Sequence, residues 1–87
     1  MSLFLVELYV SRADPGAARR WCRDARRAAE DLTRSGTPVR YQRSIFVPDD
    51  ETCFCLFEAE NADAVRAAAC RAELPFQRIA EAQLEVD

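Results

Sequence analysis

Apolar residues take every second position near the start of the chain. Phe4, Val6, Leu8 and Val10 form a wholly apolar row, and Leu3, Leu5, Glu7 and Tyr9 form a mixed one. That two-residue period predicts a strand over Leu3–Val10 with the apolar row against a core. The period then changes. Ala18, Trp21, Cys22, Ala25, Ala28, Ala29 and Leu32 recur at three- and four-residue spacing, the stripe of an amphipathic helix from Pro15 to Arg34. Asp14 before Pro15 supplies a helix start, and Gly36 with Pro38 supplies a stop.

Alternation returns between Val39 and Ala59. Val39–Val47 and Thr52–Ala59 are rich in β-branched and aromatic residues, and Pro48-Asp49-Asp50-Glu51 lies between them. Such a pattern predicts a hairpin. Within the first arm, Val39, Tyr41, Ile45 and Val47 share one parity, with Arg43 as its odd member. Arg40, Gln42, Ser44 and Phe46 share the other. In the second arm, Cys53, Cys55 and Phe57 face one way and Phe54, Leu56 and Glu58 the other. Both rows are apolar, which places this strand inside a sheet. Asn61 caps a second helix reaching about Glu73, with Val65, Ala68, Ala69 and Ala72 inward. A last strand is expected from Arg78 to Val86, with Ala80, Ala82, Leu84 and Val86 in one row and Ile79, Glu81, Gln83 and Glu85 in the other.

The order β-α-β-β-α-β with right-handed crossovers predicts a single ferredoxin-like α+β domain over residues 1–87. Strands one and three would be central in a four-stranded antiparallel sheet, with both helices on one face. The opposite face would carry Leu5, Glu7, Tyr9, Arg40, Gln42, Ser44, Phe46, Phe54, Leu56, Glu58, Glu81 and Gln83. A face half apolar and half polar is too greasy to stay bare. The expected cover is a second copy of the chain, because 87 residues bury only a modest core alone.

Composition narrows the chemistry. The net charge is −3, which argues against nucleic acid and anionic membranes as partners. All 12 basic residues are Arg and there is no His, which removes lysine catalysis and the commonest general base and metal ligand. No stretch is long and apolar enough to span a membrane, and the first residues lack the basic start of a secretory signal. A cytoplasmic location with reduced thiols is therefore expected for Cys22, Cys53, Cys55 and Cys70. Asp49-Asp50-Glu51 lacks the further oxygen ligands a calcium ion needs.

Several stretches together resemble the small, mostly bacterial domain of unknown function 4242 family. They are Leu5-Val6-Glu7, Tyr41-Gln42-Arg43-Ser44, Asp49-Asp50-Glu51-Thr52-Cys53, Phe57-Glu58-Ala59, Ala64-Val65-Arg66 and Leu74-Pro75-Phe76-Gln77-Arg78-Ile79. The resemblance spans nearly the whole chain and implies a ferredoxin-like fold and nickel binding. Three positions depart from the family's pattern: Leu8 stands where an Arg is common, Glu73 where a Gly is usual, and Ala68 or a neighbour where a His is frequent.

Two candidate sites follow. On the open face, Glu7, Tyr9, Arg40, Ser44, Phe54, Glu58 and Glu81 would line a small-ligand cavity in a homodimer. If the chain is instead a cofactor-free enzyme of isomerase or cyclase type, Glu7 and Glu58 would act as acid and base with Tyr9 or Arg40 stabilising negative charge. On the helix-covered face, Cys53-x-Cys55 places two thiols side by side, a donor pair for nickel or zinc with Glu or the other cysteines as further ligands. Thiols pointing beneath helices also serve simply as small apolar filling. The expected function is a small dimeric ligand- or metal-binding module. RNA binding through Tyr9 and Phe54 is disfavoured by Glu7, Glu58 and Glu81 on the same face.

Overall fold

In the computed structural model, which describes residues 1–85, Ser2–Tyr9 forms β1 and Pro15–Arg34 forms α1. Val39–Val47 forms β2, Thr52–Ala59 β3, Ala62–Arg71 α2 and Phe76–Ala82 β4, with a single 3-10 turn at Pro48–Asp50. The sheet order is β2-β3-β1-β4, and every neighbouring pair is antiparallel. This is the expected ferredoxin-like α+β architecture, with β1 and β3 central. The last strand, expected over Arg78–Val86, starts earlier and ends at Ala82, before Gln83, Leu84 and Glu85, and Val86 lies outside the described residues.

Local chemistry sets the ends of the elements. Asn61 caps α2, its side-chain oxygen accepting from the Ala64 amide at 2.9 Å. Asp14 sits at the N-cap of α1 but makes no capping bond. Its carboxylate pairs instead with Arg20 at 3.2 Å. Gly36 follows α1 with φ at +103°, a conformation open to glycine. Glu73 follows α2 with φ at +55°, and the Leu74 amide returns to the Ala69 carbonyl at 2.9 Å.

The core lies between the sheet and the helices. Phe4, Val6, Leu8 and Val10 meet Cys53, Cys55, Phe57 and Ala59 from β3, covered by the alanines of α1 and by Val65, Ala68 and Ala69 of α2. Small residues on both helices let them lie close to the sheet. The largest fully buried side chain is Phe57. Tyr41 meets its ring edge-on, with centroids 5.7 Å apart.

Two strands depart from simple alternation, and the departure in β2 moves candidate residues between faces. In β2, Tyr41 opposes Phe57 while Arg43 opposes Leu56, so Gln42 is an extra residue in a β-bulge. Beyond it the parity inverts. Ser44 opposes Cys55 and Phe46 opposes Cys53, beneath the helices, whereas Arg43, Ile45 and Val47 turn to the open face. Ser44 and Phe46 therefore do not belong to the open face, and the bulge accounts for Arg43 as the odd member of its row. In β4, the register places Phe76 opposite Leu8 and Ile79 opposite Val6, with Gln77 skipped. Ile79 and Phe76 pack against the core, and Ala80 and Ala82 take the open face. Glu81 opposes Phe4 and so lies on the helix side, contrary to expectation. An edge strand permits this: the larger apolar residues claim the core, and a carboxylate at the margin still reaches water.

Candidate metal centre

β3 projects Cys53 and Cys55 from one face, and neither retains any exposure. Above them, the apolar stripe of α1 brings Cys22, itself half-buried. The three Sγ atoms all lie within 4.8 Å of one another. Among the described residues, this is the one group of three or more Cys, Asp and Glu side chains that close. Cys70 stands apart, exposed on α2.

The β2 bulge completes the surroundings. It turns Ser44 inward, where Ser44 Oγ donates to Cys55 Sγ at 3.3 Å. Ser44 Oγ also shares a 2.7 Å hydrogen bond with the Tyr41 hydroxyl. A serine has one proton to give, so with that proton directed at sulfur the tyrosine is the donor. The relay runs from Tyr41 through Ser44 to Cys55. Arg26 stacks over the Tyr41 ring at 5.0 Å. A pocket of about 310 Å³ opens between α1 and β2, lined by Arg19, Cys22, Tyr41, Ser44, Phe46 and Cys53 among others.

Crowding three thiols separates their acidities. Cys22 is pushed below the ordinary thiol range, because the thiols of Cys53 and then Cys55 donate hydrogen bonds to its sulfur. Cys55 is pushed up, first by those bonds to Cys22 and Cys53 and then by burial. Cys53 is also raised, chiefly by its bond to Cys22. The cluster thus sets one sulfur of lowered pKa beside two of raised pKa. Burial raises Tyr41 to about 12.

These donors suit a soft or borderline cation. Thiolates select zinc, copper(I) and iron–sulfur clusters, whereas imidazole is a common donor for nickel and this chain has none. Sequence reasoning took Cys53 and Cys55 as the donor pair and left the further ligands open among Glu and the other cysteines, without singling out Cys22. The signal was present: α1 crosses back over the sheet, and Cys22 stands on its apolar stripe. Inward-facing Ser44 was hidden by the bulge, whereas Tyr41 lies before it, in the row shared with Val39.

The open-face candidates are placed differently. Glu7 pairs with Arg78 at 3.1 Å, and Glu58 accepts from Gln42 and lies 3.7 Å from Arg40. Both carboxylates are thus partnered. Glu7 opposes Phe54 while Glu58 opposes Leu3, so four residues separate them along the sheet, roughly 13 Å at strand rise. Tyr9 is exposed and donates to Glu51 at 3.3 Å. The acid–base pair expected of Glu7 and Glu58 is not assembled. A groove of about 460 Å³ crosses this face near Leu3, Ile45, Leu56 and Leu84, and Glu58 alone of the expected ligand residues lines it.

Comparison with known proteins adds three findings. A family described as nickel responsive protein SCO4226-like matches residues 9–82. The crystal structure of SCO4226 from Streptomyces coelicolor A3(2) is similar in fold, with a TM-score of 0.63 and 19% identity over 98% of this chain and 100% of that one. No curated protein matches the chain.

Proposed function

Because the chain belongs to the SCO4226-like family of nickel responsive proteins, we propose that it is a small metal-binding module whose ion is held by Cys22, Cys53 and Cys55. The observation that carries this reading is the convergence of three sulfur atoms within 4.8 Å from two different elements. The nickel association implied by the resemblance to the domain of unknown function 4242 family recurs in the family's description. Three sulfurs without imidazole favour zinc over nickel here, a preference of the donor set. Binding would release the protons of the thiols that are not already ionised, so affinity rises with pH. No helix among the described residues is long and apolar enough to cross a membrane. A reducing compartment such as the cytoplasm would keep the thiols available.

The uncovered sheet face supports one further element of this reading, pairing with a second copy. The fold is a slab with extents of 38 × 34 × 17 Å, and its broad bare face presents Leu3, Leu5, Phe54, Leu56 and an Ile45 that is 56% exposed. The face also carries both charge signs, at Glu7–Arg78 and Arg40–Glu58, so two copies can meet with opposite charges aligned. An area of about 800 Å² per partner suffices for a stable dimer, and a face of these dimensions supplies it. Sedimentation equilibrium should give twice the 9.9 kDa chain mass, and Ile45→Glu should return the monomer. A wild-type monomer at high concentration would remove this element.

The metal reading is tested by adding zinc and nickel separately to the reduced, untagged protein and recording native mass spectra. One ion per chain is expected, with zinc displacing nickel in competition. Uptake should disappear in Cys22→Ser and persist in Cys70→Ser. Absence of uptake by the reduced wild type, or uptake indifferent to Cys22, Cys53 and Cys55, would sink the proposal.

A further inference from the structure

The pocket between α1 and β2 has a feature that metal binding does not require. Cys22 and Cys53 both line it, so one thiol is reached from solvent and the other stands behind it. Cys55 does not line the pocket, and its sulfur is engaged by Ser44 at 3.3 Å. Arg19 lines the same pocket and supplies positive charge to it. The space, about 310 Å³, admits a small molecule. We infer that Cys22 and Cys53 form a thiol–disulfide couple that reduces a small hydroperoxide entering this pocket.

The chemistry balances without a further reactant. The Cys22 sulfur attacks the outer oxygen of the hydroperoxide, and the O–O bond breaks. The leaving oxygen departs as an alcohol, or as water from hydrogen peroxide, taking up the proton that the Cys22 thiol gives to solvent on ionising. Arg19 stabilises the negative charge that develops on it. Cys22 becomes a sulfenic acid. The Cys53 sulfur then attacks Cys22 Sγ, the S–O bond breaks, and hydroxide leaves with the Cys53 proton as water. Two thiols and one hydroperoxide give one disulfide, one alcohol and one water. The bridge joins α1 to β3. A bridge between Cys53 and Cys55 is disfavoured, because two residues along a strand separate their Cα atoms by about 6.6 Å, the far end of the range a disulfide spans. The reaction consumes sulfurs assigned above to a metal, so the bound ion and the disulfide exclude each other. The inference itself needs no metal.

The experiment adds one equivalent of hydrogen peroxide to the full, reduced, metal-free chain. It is followed by denaturation, maleimide blocking and peptide mapping. The mass before blocking should fall by about 2 Da for one disulfide, and two of the four cysteines should lose their maleimide adducts. The linked peptides should contain Cys22 and Cys53. Cys53→Ser should stop at a sulfenic acid on Cys22 that dimedone traps. Cys70→Ser should form the same bridge, and Arg19→Ala should form it more slowly. A disulfide joining two chains through Cys70, with Cys22 and Cys53 still open to maleimide, would overturn the inference. So would direct over-oxidation of wild-type Cys22. A chain that forms the bridge but takes up no ion would remove the metal reading and keep this one. A chain that binds zinc but never bridges would do the reverse.

Discussion

Both faces of the sheet carry chemically capable side chains, yet they are organised on opposite terms. The open face carries both its central-strand carboxylates in pairs, Glu7 with Arg78 and Glu58 with Arg40 and Gln42, spread across the strands, with Arg43 beside them. The helix-covered face has no buried charged residue among the described residues and gathers its capable groups at one point: Cys22, Cys53, Cys55, Ser44 and Tyr41. Paired surface charges satisfy one another and leave little free for a ligand. Thiols tolerate burial as neutral groups and become charged ligands when a cation arrives. The comparison teaches that the side chains most visible in the sequence, the carboxylates, are the ones already spent. The reactive set is the one that reads as filling.

The largest test of that contrast is in stability. Phe57 and Phe54 lie on one strand and point to opposite faces; Phe57 has no exposure, whereas Phe54 is half-buried. Phe57→Ala should cost about 3–5 kcal/mol in urea unfolding, from lost transfer energy and the cavity left behind. Phe54→Ala should cost about 1 kcal/mol in dilute solution. A Phe54→Ala cost that grows with protein concentration would show the open face buried by a second copy. Equal costs in dilute solution would erase the distinction between the faces.

Next in size is metal affinity. Cys22→Ser removes one of three sulfur donors and should weaken zinc binding by more than the roughly 10–100-fold typical of losing a supporting partner. Glu58→Gln should leave it unchanged. Competition with a chromophoric chelator measures both, and a loss in the open-face variant would move the site across the sheet.

Tyr41 supports the thiol side, and its effect is smaller. Tyr41→Phe deletes the hydroxyl bonded to Ser44 and should cost about 1 kcal/mol at neutral pH. It should also change the alkaline limb. Burial holds the folded pKa at about 12, above the ordinary 10.0. The folded chain therefore keeps a proton that the unfolded chain has lost, and stability falls as pH rises from about 10 to about 12. Tyr41→Phe should show a shallower decline in that window. An unchanged slope would mean that Tyr41 ionises as freely in the folded chain as in the unfolded one.

How far the sequence reveals these faces depends on whether alternation holds. β1 and β3 keep strict parity, so the row Phe4, Val6, Leu8 and the row Cys53, Cys55, Phe57 are placed correctly by pattern alone. The helices follow from the stripe of α1 and the cap at Asn61, and the topology follows from the order of elements. β2 misleads because it contains a bulge, and one extra residue transfers everything beyond it to the other face. β4 alternates regularly from Arg78, but the alanine row was expected inward and the Ile79 row takes that side. Arg43 in an apolar row and Phe46 in a polar one were the visible signs. The thiol cluster was legible in part. A two-residue spacing announces Cys53 and Cys55, but Cys22 is 31 positions earlier in the sequence than Cys53 and meets them only through the packing of α1 on the sheet.

The smallest effect is expected where the sequence first drew attention. Glu7 has a clear ion pair with Arg78, but the Arg78 side chain is 67% exposed, so water screens the pair and competes for both partners. Glu7→Gln keeps the shape of the side chain and removes its charge. It should change stability by no more than about 0.5 kcal/mol, with the difference shrinking as salt is added. It should leave zinc affinity and the Cys22–Cys53 bridge untouched, since the residue projects from the opposite side of the sheet. Chemical unfolding at low and high salt, with a zinc titration of the same sample, reads all three. A loss of several kcal/mol would mean that Glu7 is desolvated in the working assembly, as pairing through this face would make it. The cost should then appear only where the chain is dimeric, and Ile45→Glu should abolish it. A large cost that persists in the Ile45→Glu monomer would instead overturn the account of the open face as a set of screened, mutually satisfied charges.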